Sequence, residues 1–410
     1  MFRFTTVLTT VLIFVCSAPS LAQQNQEQTL AQQNQEQTLA QAFGGFKWNS
    51  QFEVAYDDID QLLAMTVVNT GMSDRSRLKS EQTIGTRMTS GRNKATALEA
   101  NRFYFEGVKK SDLKLALTKI RESLENLPQE MPLSELNKKE QLAYWLNLYN
   151  MTLLEQLVKR YPLHSLDDEI EDEGLLDAKL ITVAGHPLSL NDIQQRIVYP
   201  NFSEKPNVIY GFYQGYIGSP SLHPAAFKGA TVYKQLEKRA EEFINSNRGA
   251  QVDDEILEVS QYYRQATFYF PQLQDDLKRH IAIYAKGQFE YDLRNVEKVE
   301  IEIEDYTLAD LTGSARQIGS GVANNQAGML DAVVNGSGGQ ATGMAGADGG
   351  LGAQNVGVVS QTMQTRTANF GRFTPEQAEI LRKLKEKQEL AAGSVEIKDI
   401  DKVKKEKSKN

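Results

Sequence analysis

Apolar and polar residues follow regular periods between about residues 49 and 313 and lose them on either side. Leu113, Leu117, Ile120, Leu124 and Leu127 recur every three or four positions. That period predicts a helix capped by Ser111 and stopped by Pro128. A longer helix is predicted over 136–160, capped near Ser134 and ended before Pro162. From Leu142 to Val158 it is apolar almost all round, the pattern of a central buried helix. Residues 179–183 read as a strand, Ala184-Gly185-His186 as a turn and 187–190 as the returning strand. Ser189 or Asn191 then caps a short helix ending before Pro200. The aromatic and Gly-rich run 208–216 fits a strand or a buried helix. Amphipathic helices are predicted at 232–245, 254–263 and 273–284, and the alternation over 296–303 predicts a half-buried strand. The sum is an α+β, predominantly helical single domain over 49–312 with a small antiparallel or mixed sheet and disordered flanks.

The flanks differ in composition. Residues 1–22 carry Arg3, an apolar run over 7–15 and small residues at Ser20 and Ala22, the pattern of a cleaved signal peptide. An exported protein follows, periplasmic or extracellular, with no transmembrane span after cleavage; an uncleaved anchor is the alternative. Over 23–48 the string QQNQEQTLA occurs twice, and so polar a repeat cannot bury enough surface to offset chain entropy. Residues 313–371 are Gly-rich and read as a flexible linker. The last segment, 372–410, reads as a solvated, charged helix and tail, started by Thr374-Pro375-Glu376-Gln377.

Charge and chemistry narrow the function. A net charge of −8 argues against nucleic acid, which needs a basic face. The one cysteine, Cys16, lies in the predicted leader, so the mature chain offers no thiolate. The four histidines (164, 186, 223 and 280) lack metal-binding spacing, and the acidic run 167–174 lacks the Ca²⁺-loop alternation. No metal and no cofactor is expected.

Asn147 and Asn150 stand three apart on one face of the long apolar helix. Buried amides need partners, so these two either pin loop backbone or line a cleft. Four segments, in order, resemble the bacterial family named domain of unknown function 547. They are QLAYWLNLYNMTLLEQLV, VAGHPLSLNDIQQRIVYP, VIYGFYQGYIGSPSLHPAAF and VEIEIEDYTLAD, together spanning about 52–312. The resemblance implies an envelope or secreted protein and a papain-like or transglutaminase-like cleft. It keeps Asn147, Tyr149, Asn150, Asp192, Pro220 and Asp305 as framework. It departs at Ser219, where the family resemblance places a cysteine, and at Gln195, where a histidine is common. Tyr199, Tyr306 and Ala309 also depart. The expected function is a non-catalytic binding or structural domain of the envelope, with an envelope protein, peptide or glycan as partner. The alternative is a hydrolase or transferase with a site rebuilt around Ser219, His223, Asn147 and Asn150, with His186 as another candidate base.

Overall fold

The computed structural model describes residues 38–75, 96, 99–311, 372–374, 376–377 and 379–383. The predicted leader, the Gly-rich segment and the end of the tail lie outside them, as does most of the Gln-rich repeat. In chain order the elements are α1 (Asp57–Thr66), β1 (Val67–Val68), β2 (Arg102–Phe103), α2 (Phe105–Lys110), α3 (Leu113–Glu130), α4 (Lys138–Arg160), β3 (Ile181–Val183), β4 (His186–Leu188), α5 (Tyr199–Asn201), α6 (Val232–Ile244), β5 (Ala250–Asp253), β6 (Ile256–Ser260), α7 (Leu273–Tyr284), α8 (Gly287–Asp292) and β7 (Lys298–Ile303). This is the mostly helical α+β class, with small sheets. No described helix is long and apolar enough to cross a membrane.

Helix α4 is the axis of the core. Every residue from Glu140 to Glu155 is buried. Its cap is Asn137, whose side chain accepts from the Lys139 and Glu140 amides at 3.0 Å each. Ser134 is not the cap because Leu133–Glu135 forms a separate 3₁₀ turn.

Helix α3 runs through Pro128 rather than stopping before it. A proline in the last turn removes the N–H that would bond Leu124. The Tyr144 hydroxyl of α4 donates to that freed carbonyl at 3.1 Å, so the helix continues without an orphaned acceptor.

The β3–β4 hairpin forms as expected. Its two turn residues have positive φ, 49° at Ala184 and 84° at Gly185, which suits a two-residue connection between twisted strands. Ser189 then caps the next helix reciprocally. Its Oγ accepts from the Asp192 amide at 3.0 Å while Asp192 Oδ2 accepts from the Ser189 amide at 2.8 Å. That helix is wound as a π-helix over Asp192–Val198 and continues into α5, so it passes Pro200 instead of ending before it.

Two further expectations are corrected. The run 208–216 is neither strand nor α-helix. Pro206–Gly211 is a 3₁₀ turn and irregular chain follows. A Cβ at Gly211 would lie 2.6 Å from Leu146 Cδ2, so the bare glycine lets this segment press onto α4. The predicted helix at 254–263 is instead the turn Asp254-Glu255, strand β6 and the start of a 3₁₀ turn, Gln261–Ala266. Leu257 and Val259 are buried around Glu258, a period of two that outweighs helical spacing. β6 pairs antiparallel with β5 and parallel with β7.

Arg372 and Phe373 are buried, although this segment reads as solvated in the sequence. Thr374 and Gln377 then form a reciprocal helix start, with amide-to-side-chain bonds of 3.3 and 3.2 Å.

Candidate functional site

Both helix asparagines hold backbone. Asn147 Nδ2 donates to the Phe227 carbonyl at 2.8 Å, and its Oδ1 accepts from the Phe227 amide at 2.9 Å. Asn150 does the same across a neighbouring loop, donating to Gly211 O at 3.0 Å and accepting from the Tyr213 amide at 3.0 Å. Each amide therefore replaces a strand-like partner for irregular chain that has none. Tyr149 is fully buried, and its hydroxyl accepts from Gln214 Nε2 at 2.8 Å.

Ser219 is sealed. It has no exposed surface, and its Oγ donates to the Tyr216 carbonyl at 2.7 Å. The preceding Gly218 is fixed by its amide on Asp305 O (2.9 Å) and by its carbonyl accepting from Ser260 Oγ (2.5 Å). Pro220 is buried beside it. Asp305 is occupied too, accepting from Thr96 Oγ1 and from the Thr307 amide at 3.0 Å. His223 is exposed and is not hydrogen-bonded to Ser219. His280 is bonded to Tyr210 at 2.9 Å, and His186 lies edge-on to Phe43. No histidine is therefore in hydrogen-bond contact with the serine that the enzyme reading needs. Among the described residues no group of three or more His, Cys, Asp or Glu is placed to hold a metal ion.

Asp192 and Gln195 lie elsewhere, in a cleft of about 510 Å³. The cleft lies between residues 176–179, the approach to the π-helix at 189–191, the π-helix itself and the Gln261–Ala266 turn. Lys179, Arg196, Asn191 and Gln265 line it with them, over an apolar base of Ile170 and Leu176. Asp192 is buried and triply held: it accepts from Lys179 Nζ, from Arg196 Nη1 at 2.9 Å and from the Ser189 amide. Burial alone would raise its pKa. The bonds from Lys179 and Ser189 outweigh that and hold the carboxyl below its ordinary range. Its role is to fix the two cations at the cleft wall.

The glutamines carry the open valences. Gln195 Nε2 donates to the Gln265 carbonyl at 2.9 Å, and Gln265 Oε1 accepts from Gln214 Nε2 at 3.1 Å. Among the described residues Gln195 Oε1 and Gln265 Nε2 have no partner. One acceptor and one donor thus remain at the cleft. Asn147, Tyr149, Asn150, Ser219, His223, Pro220 and Asp305 are not among the residues lining it. Lys179, Arg196 and Gln265 go unrecognised in the sequence. Lys179 reads only as the start of a strand, and Gln265 follows a segment read as helix.

A second buried group affects stability rather than binding. Glu140 is 4% exposed, has no cation paired with it among the described residues, and accepts only from the Val54 amide at 3.3 Å. Burial pushes its carboxyl up to about 7, against the Val54 bond and with some help from Glu53. The folded state therefore keeps a proton that the unfolded chain releases between about pH 4.5 and 7. Stability should fall as pH rises through that window, by on the order of 1–3 kcal/mol. Glu140→Gln should match or exceed the wild-type melting temperature at pH 8, and the difference should close by about pH 5. Thermal melts across that range check it; a difference independent of pH would contradict it.

With this geometry in place, comparison with known proteins adds one match. Residues 133–244 match the model of the family described as a protein of unknown function, DUF547. The matched stretch contains α4, the β3–β4 hairpin, the π-helix, the Ser219 loop and α6, but not Gln265 or the β5–β7 sheet. It is narrower than the 52–312 span of the resemblance. No curated protein and no solved structure matches the chain.

Proposed function

We propose that the chain is an exported, non-catalytic binding domain of the bacterial envelope, and that its cleft takes a peptide segment. The observation that carries this reading is the unpartnered pair, Gln195 Oε1 and Gln265 Nε2, at a cleft of about 510 Å³. A peptide group offers one donor and one acceptor and complements that pair; both glutamines are half-buried, so a bound peptide would take the place of the water that meets them in the free chain. The cations Lys179 and Arg196 are tied to Asp192, so the site favours a neutral polar strand over a strong anion. Export rests on the signal-like pattern of residues 1–22. The buried, carbonyl-bonded Ser219 supports binding without turnover.

A peptide array probed with the full-length chain tests the reading. Selective capture should be lost in Gln195→Leu and in Gln265→Leu. Capture of oligosaccharides instead, sensitive to the same changes, would replace the peptide with a glycan. Capture of neither, or capture insensitive to both changes, would remove the cleft from the account.

A further inference from the structure

The side chain of Arg372 fills a second pocket with unusual completeness. Arg372 is 1% exposed. A guanidinium has five N–H donors in a planar fork, and here all five find acceptors. Nε donates to Ser123 Oγ at 3.1 Å. Nη1 donates to Ala55 O at 3.1 Å and to Asp58 Oδ1 at 3.2 Å. Nη2 donates to Asp58 Oδ2 at 3.0 Å and to Ile120 O at 3.3 Å. The Tyr56 ring covers the group, its centroid 5.8 Å from Cζ. A lysine ammonium has three donors on one atom and reproduces neither the fork nor its reach.

The backbone and the next side chain complete the docking. The Ala55 amide donates to Arg372 O at 3.0 Å. Phe373 is buried edge-on against Phe52, with ring centroids 6.0 Å apart. Beyond these two residues the contact is looser: Gln377 Nε2 donates to Gln51 O at 3.2 Å and Leu381 is half-buried against the core, while Ile380 is 44% exposed and Glu379 and Arg382 pair at the surface. Two deeply anchored side chains followed by more lightly held chain is how a domain reads a short linear peptide. Here the peptide belongs to the same chain.

We propose that the Asp58 pocket is a peptide-recognition site for an arginine followed by an aromatic residue, occupied in cis by Arg372-Phe373, and able to take the same motif in trans when that anchor is absent. The pocket shares no residue with the Gln195 cleft and stands whether or not that cleft binds peptide.

The test uses the full-length chain and a fluorescein-labelled peptide of residues 367–383. The Arg372→Ala/Phe373→Ala chain should bind the peptide saturably by fluorescence anisotropy. The wild-type chain, its pocket filled, should bind it at least ten-fold more weakly. A peptide with lysine in place of Arg372 should lose at least ten-fold in affinity, and Asp58→Asn in the double variant should abolish binding. No saturable binding to a double variant with wild-type circular dichroism would overturn the proposal. So would equal binding of the arginine and lysine peptides. If the double variant does not fold, hydrogen exchange decides. In full-length Arg372→Lys the Ala55 amide should exchange at least ten-fold faster than in wild type, and an unchanged rate would overturn the proposal.

Discussion

Asn147→Ala should lower the unfolding free energy by about 2–5 kcal/mol, because it leaves two buried backbone groups unmatched at about 1–3 kcal/mol each. Asn147 is 2% exposed and spans both the amide and the carbonyl of Phe227. Phe227 itself is buried and packs under Arg239, whose Cζ lies 4.3 Å from the ring centroid. The stretch is irregular, with no strand or helix to supply replacement partners. Water cannot reach the site unless the loop lifts from α4, so the penalty appears in full. Urea denaturation should show a lower midpoint with an unchanged m-value. A cost under about 0.5 kcal/mol, the size expected of an ordinary surface change, would mean that the loop finds other partners and that Asn147 is free for another role.

The second large effect belongs to Arg248. It has no exposed surface, and its Nη2 reaches both Glu242 oxygens at 2.7 Å and Ser221 Oγ at 2.8 Å. Nη1 donates to Ser246 Oγ at 2.7 Å. The Asn101 amide also donates to Ser221 Oγ, so one cation ties α6, the β5 approach and the Ser219 loop together. Glu242 is half-buried, and removing its fully buried partner leaves a carboxylate that water reaches only in part. Arg248→Met should cost about 3–5 kcal/mol. Burial already raises the pKa of Glu242, and Arg248 is the main influence opposing it. Arg248→Met/Glu242→Met should recover most of the loss, since well-packed apolar residues often replace a buried ion pair at little cost. Chemical denaturation of the single and double variants measures it. A double variant no more stable than Arg248→Met would show that the arginine acts through Ser221 and Ser246 rather than through the ion pair.

These two residues show what the sequence conveys and what it withholds. Asn147 is legible because an amide inside an apolar helix must have a partner, though not which partner. Arg248 follows a helix in a segment with no periodic signal, and nothing in its neighbours marks it as buried. The helices α3, α6 and α7 are readable because their apolar residues repeat at 3.6 positions, and α4 because its long apolar run suits a helix buried all round. Their ends are less so. Pro128 and Pro200 read as stops, yet α3 continues because Tyr144 satisfies the freed carbonyl, and the other helix continues through π-wound chain. Strand β6 is hidden because Ile256, Leu257 and Val259 also fit a helical face. The cleft is half legible. Asp192 is kept from the family pattern and Gln195 departs from it, whereas Lys179, Arg196 and Gln265 converge only through tertiary contacts. The Arg372 pocket is not legible at all, because its partners lie hundreds of residues away in sequence.

The central claim is that this chain reads a ligand at Gln195 and Gln265 and does no chemistry at Ser219. The most direct test is to titrate the strongest peptide from the array into wild-type, Gln195→Leu and Ser219→Ala chains, following both binding and cleavage. The peptide should stay intact, Ser219→Ala should bind it as wild type does, and Gln195→Leu should lose at least ten-fold in affinity, the equivalent of about 1.4 kcal/mol. Peptide cleavage that disappears in Ser219→Ala, or binding indifferent to Gln195, would contradict it.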